Sequence, residues 1–111
     1  MKVYPYRSEG GLLVGFEVKV ISISLSALES LILKYGKVES VFRSRGNLEG
    51  VHLMFKLDGT QMTVLEMFGD NSRYWIGPNK ENSDVSAELE ALMTMFELYA
   101  PPIWRRILTC G

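Results

Sequence analysis

The chain contains one histidine, His52, and one cysteine, Cys110. An imidazole that titrates near neutral pH is the commonest general base. His52 stands in a run that alternates apolar and polar residues, on the side opposite Val51, Leu53, Phe55 and Leu57. Glu66 falls on the return strand of the same hairpin, so the two side chains can approach each other. A His–Glu pair with no nucleophile or metal beside it is thin evidence for an enzyme. No serine stands in a nucleophile elbow. No ligand-spaced cluster supports zinc, and Gly10-Gly11 leads into a strand rather than the phosphate-binding start of a helix. The expectation is a protein without catalytic residues, cofactor or metal.

A second constellation speaks to binding. Tyr74 and Trp75 precede Ile76 and the pair Gly77-Pro78. On a strand their rings point to opposite faces, one into the core and one partly exposed. Aromatic side chains of this kind anchor protein interfaces. Asp70, Glu81, Asp84 and Glu88 lie nearby in the chain. An aromatic anchor ringed by carboxylates suits a basic protein partner. The expected contact set is Glu66, Asp70, Tyr74, Trp75, Glu81, Asp84 and Glu88.

Charge is unevenly distributed. Residues 1–57 carry eight basic and five acidic side chains, whereas residues 58–97 carry two basic and eight acidic ones. The whole chain has a net charge of −1 and a pI near 5.8. Lys37, Arg43, Arg45 and Lys56 form a modest basic group. Nucleic-acid binding would need a stronger field with aromatics interleaved on the same face. No nucleic acid is expected as a partner, and these cations are read as guards of a strand edge.

The elements that position these residues follow from periodicity. Residues 11–21 alternate, with Leu12, Val14, Phe16, Val18 and Val20 on one face and Glu17 and Lys19 on the other. Ser26 and Glu29 have the spacing of a capping box, which predicts a helix over about 27–35, ended by Gly36. Strands are predicted over Val38–Arg43, Glu49–Leu57, Thr60–Phe68 and Arg73–Ile76. Asp58-Gly59 is a two-residue hairpin turn, and Gly77-Pro78 stops the last strand. Ser83 caps a second helix whose stripe is Val85, Leu89, Leu92, Phe96 and Tyr99. Pro101-Pro102 ends it, and a short final helix carries Ile103, Trp104, Ile107 and Leu108. Met62, Met67 and Met93 read as core filling, and Met95 lies off the main helix stripe.

The fold class is therefore α+β: a single domain over residues 1–111. It has a largely antiparallel five-stranded sheet, with two main helices and a short C-terminal helix on one face. The opposite face exposes Glu17, Lys19, His52, Lys56, Glu66 and Arg73. The N-terminus lacks the pattern of a secretory signal, and no apolar run is long enough to span a membrane. With its lone thiol, the chain is expected in the cytoplasm.

The segment Arg73-Tyr-Trp-Ile-Gly-Pro78, followed by a polar loop and an acidic amphipathic helix, resembles small bacterial immunity proteins over residues 60–99. These are cytosolic partners of contact-dependent growth-inhibition toxins. The resemblance implies a stoichiometric inhibitor that binds one cognate toxin domain, often a nuclease, and blocks its active site or a needed surface. It implies no catalytic residues. Two other readings of the residues stand beside it. One is a self-associating accessory or structural domain, such as a homodimer joined through a sheet face or edge. The other is a small enzyme or ligand binder built on His52 and Glu66.

Overall fold

Asp58 and Gly59 both adopt positive φ, +49° and +83°, and turn the chain back on itself. This is the two-residue hairpin anticipated from the Asp-Gly pair, whose backbone twist matches that of the strands it joins. A computed structural model of the chain describes residues 1–43, 50–66, 72–79 and 85–100. Its strands are β1 (Tyr4–Arg7), β2 (Leu13–Lys19), β3 (Val38–Arg43), β4 (Val51–Leu57), β5 (Thr60–Glu66) and β6 (Arg73–Pro78). Its helices are α1 (Leu25–Leu33) and α2 (Ser86–Leu98), with a 3₁₀ turn at Val20–Ser22. The described strands form one sheet in the order β1-β2-β6-β5-β4-β3, with every neighbouring pair antiparallel.

The sheet has six strands rather than five. β1 is short, contains Pro5 and has no apolar run, so periodicity alone does not mark it. It occupies an edge, where proline's missing N–H is tolerated. β6 runs through Gly77 and Pro78, where a stop was expected. Its pairing with β2 extends to Ile76, and Pro78 pairs only toward β5, opposite Met62. The expected final helix lies outside the described residues, as do Ser83, Met67 and Phe68.

Both helices lie on the same side of the sheet. Leu28, Leu31 and Ile32 of α1 and Leu89, Leu92, Met93 and Phe96 of α2 join Phe16, Val18, Leu53, Phe55, Met62, Val64 and Ile76 in one buried core. Phe16 and Phe96 meet edge to face at 5.3 Å. The expected stripe of α2 is the buried one, and Met95 packs at its margin.

Bulges decide which side chains face this core. Arg7 pairs with Leu13 and Tyr6 with Gly15, so Val14 is an extra residue in β2. The insertion turns the strand over. Leu13 is fully buried, whereas Leu12, expected inside, is 46% exposed. His52 is the extra residue of β4, between the pairs Val51–Leu65 and Leu53–Val64. A third irregularity, in β3, holds Ser40 at a φ of +56°.

Polar contacts fasten the helices. Ser24, not Ser26, caps α1, its hydroxyl accepting from the Ala27 N–H at 3.1 Å. Ser26 and Glu29 instead receive Arg43 of β3, at 3.0 and 3.3 Å. The capping-box spacing was present, but an arginine from the edge strand takes both acceptors. At the other end of the sheet, the Leu13 N–H donates to the buried Ser86 hydroxyl at 2.9 Å. Arg7 makes a two-pronged bridge to Glu90 of α2, at 2.8 and 3.0 Å.

Replacing Ser86 with alanine leaves the buried Leu13 N–H without this acceptor, a loss of about 1–3 kcal/mol. Urea unfolding of Ser86→Ala should show a lower midpoint with an unchanged slope.

Candidate functional site

The strands that bury one face against α1 and α2 present the alternate side chains on the other, here termed the outer face. Among the described residues no helix or strand packs on it. Side chains directly opposite each other on paired strands share a face. Register therefore places Tyr4, Glu17, Trp75, Leu65 and Val51 in one row across the outer face. A second row contains Tyr6 and Gly15 at one end, with Gly77, Thr63, Met54 and Phe42 toward the other. This second row is uncharged. Tyr6 is 44% exposed and Phe42 50%.

Trp75 is the centre of this surface. Its indole lies over Gly15 and Gly77. A Cβ on Gly15 would overlap the ring, and one on Gly77 would sit 2.8 Å from Cζ2. The two glycines thus form a floor into which the ring settles, leaving it half-buried. Tyr6 packs against the indole edge to face, with centroids 5.2 Å apart. Beside them is a depression of about 370 Å³ lined by Arg7, Ser8, Val14, Trp75 and Pro78.

A polar network fixes the aromatic rings. The Glu17 carboxylate accepts from the Tyr6 hydroxyl at 2.9 Å and from Arg73 Nη1 at 3.2 Å. The Arg73 guanidinium lies 3.7 Å from the Tyr4 ring centroid, and Lys2 Nζ lies 5.2 Å from the same centroid. Both are cation–π contacts. The hydrogen bond to Glu17 raises the Tyr6 pKa, because it favours the protonated phenol. At the rim, the hydrogen bond from Arg7 holds the Glu90 carboxyl below its ordinary range.

The expected contact set does not assemble on this surface. Trp75 is on it, as the expectation of one exposed ring required. Tyr74 is on the helix side and buried. Glu66 pairs with Tyr74 in register and lies on the helix side too. His52 joins them, its Nε2 2.6 Å from Glu66 Oε1 and its ring 5.5 Å from Tyr74, edge to face. His52 and Glu66 were expected on the outer face; the bulge at His52 carries the imidazole to the other side. Glu88 lies on α2 and receives the Tyr35 hydroxyl. Asp70, Glu81 and Asp84 lie outside the described residues. Glu17, Lys19, Lys56 and Arg73 do fall on the outer face. Among the described residues, no group of three or more His, Cys, Asp or Glu side chains could hold a metal. No described helix is long and apolar enough to cross a membrane.

Tyr4, Tyr6, Gly15 and Gly77 were not singled out from the sequence. A signal for the tyrosines existed. Lys2, Tyr4 and Tyr6 alternate with Met1 and Val3, which pack against the core. Comparison with protein-family models, with curated proteins and with solved structures finds no match.

Two measurements check this geometry. Gly15→Ala forces Trp75 off its floor and should cost about 1–3 kcal/mol. In a Trp104→Phe background it should also shift the indole emission to the red; unchanged emission would place the ring elsewhere. The Tyr35 phenol is pushed up to about 12 by its hydrogen bond to Glu88, by burial and by the negative charges of Glu88 and Asp58. Its folded pKa lies above the ordinary 10.0, so its contribution to stability is full below that pH and fades as pH rises toward 12. Ultraviolet titration should show one late tyrosine, which Glu88→Gln returns toward the ordinary value.

Proposed function

We propose that this domain is a non-catalytic protein-binding module and that the outer face around Trp75 is its docking surface. One observation carries this reading: the uncharged row from Tyr6 and Gly15 to Phe42, with Trp75 seated over its glycines and charged side chains at its rim. An apolar centre with aromatic anchors and a polar rim is the anatomy of a protein interface. The anchoring ring is already held by Gly15, Gly77 and Tyr6, so little side-chain entropy is lost when a partner arrives.

The face is favoured over the edges as the docking route. β1 is four residues long and contains Pro5. β3 is kinked at Ser40 and carries Glu39 and Arg43. Short, bulged, charged or proline-bearing edges discourage strand addition. His52 and Glu66 offer less as a catalytic pair, since they pack against Tyr74 on the helix side.

The resemblance of Arg73–Pro78 to immunity proteins makes a toxin domain the first partner class to test, neutralised in the cytoplasm by one-to-one binding. A second reading is self-association, favoured by Phe42 and Met54, which carry the apolar row to the β3 edge.

The test is recovery of a partner from the native host with tagged wild-type protein, followed by affinity measurement on variants. Trp75→Ala and Tyr6→Ser, which removes the ring packed on the indole, should each weaken a one-to-one complex by about tenfold or more, as hot-spot residues do. Light scattering on the isolated protein separates the second reading, which requires a dimer. An affinity unaffected by both substitutions but abolished by Glu88→Lys would contradict the outer face and favour the acidic helix side.

A further inference from the structure

The outer face also carries information about the charge of what it binds. Resting on the reading above, we infer that the partner presents an acidic protein segment bearing an apolar anchor side chain. On the outer face around Trp75 the described charges are Lys2, Lys19 and Arg73 against Glu17, whereas Arg7 pairs with the buried Leu13 and bridges to Glu90 of α2 on the helix side. Lys19 and Arg73 are opposite each other on β2 and β6. Lys2 and Arg73 both approach the Tyr4 ring. Arg7 borders the depression beside the indole. Glu17 is held by Arg73 and Tyr6 and offsets one of the three outer-face cations, which leaves two in excess. Among the described side chains this part of the face therefore carries net positive charge, and complementary potentials favour a negative partner.

This reverses the expectation of a basic partner drawn from the acidic stretch of the chain. Of the carboxylates in that expected set, Glu66 and Glu88 are used on the helix side, by His52 and Tyr35. A basic segment docked over Trp75 would instead meet Arg73 and Lys19.

The lining of the depression adds the anchor. Val14, Trp75 and Pro78 offer apolar surface, and Arg7 and Ser8 stand at the same hollow. An aliphatic or proline side chain fits that surface, with a neighbouring carboxylate directed to the cations. A protein segment matches better than a nucleic-acid strand. Tyr6 and Trp75 pack against each other at an interplanar angle of 68°, and Arg73 covers the Tyr4 ring. These rings do not form a row of parallel platforms for bases. Beyond them the face continues through the apolar Leu65, Met54 and Phe42, which offer nothing to phosphates, and through Thr63, whose buried hydroxyl donates to the Gly77 carbonyl.

The experiment is selection of a random peptide library displayed on phage against the full chain. Synthetic copies of the enriched peptides are then measured by fluorescence anisotropy. Acidic peptides with a central aliphatic residue or proline should be enriched. Their affinity should fall by about tenfold or more in Trp75→Ala and in the double variant Arg73→Glu with Lys19→Glu. The pair Lys2→Glu with Lys19→Glu leaves the Arg73–Glu17 bridge in place and should weaken binding in the same direction. Enrichment of basic or neutral peptides that depend on Trp75 would overturn the acidic partner while leaving the docking face intact. Binding that ignores Trp75 and all the charge reversals would overturn both. Failure to enrich any peptide, or tighter binding of a short oligothymidine than of the selected peptides, would overturn the inference of a protein segment.

Discussion

A strand places alternate side chains on opposite faces, so one inserted residue turns over everything beyond it. Two insertions of this kind govern the molecule. Val14 in β2 lets Leu13 enter the same core as Phe16 and Val18, although their spacing does not alternate. His52 in β4 sends Leu53, Phe55 and Leu57 inward while Val51 stays in the outer row. Without the first, Leu13 would leave the core and its N–H would not meet Ser86. Without the second, the imidazole would join the outer face rather than Glu66 and Tyr74.

The partition of faces has a chemical consequence. The two described helices cover one side of a six-stranded sheet, and their burial of Leu, Ile and Phe side chains is the main stabilising term there. The other side receives the remaining alternate positions, and several of these are tyrosine, tryptophan, methionine and phenylalanine rather than charged residues. Glu17, Arg73, Tyr4 and Tyr6 hold one another in place around Trp75. A prearranged surface loses less freedom on binding than a loop of equal composition does.

Much of this architecture could be read from residue order, and the failures share a cause. Periodicity marked the core stripe of α2, and Asp58-Gly59 marked the hairpin, because both depend on neighbours in the chain. Bulges depend on how two strands meet, so Leu12 was placed inside in error and His52 outside in error. The capping box at Ser26 was a local signal misplaced by two residues: Ser24 caps α1, and Ser26 and Glu29 accept from Arg43 of another strand. That one ring of Tyr74 and Trp75 would be buried and the other partly exposed was legible. The floor under Trp75 was not, since Gly15 and Gly77 are far apart in the chain and only pairing of β2 with β6 brings them under one ring. The acidic contact set was inferred from nearness in the chain, and strand alternation separated Glu66 and Tyr74 from Trp75.

One sheet face is buried by the helices, and the other is an aromatic surface that no described element covers. Hydroxyl-radical footprinting of the isolated protein, read residue by residue by mass spectrometry, tests this partition most directly. Strong labelling of Tyr6, Phe42 and Trp75 is expected beside protection of Phe16, Phe55 and Phe96. Protection of Trp75 and Phe42 equal to that of Phe96 in a monomer would mean that the outer face is covered and is not a docking surface.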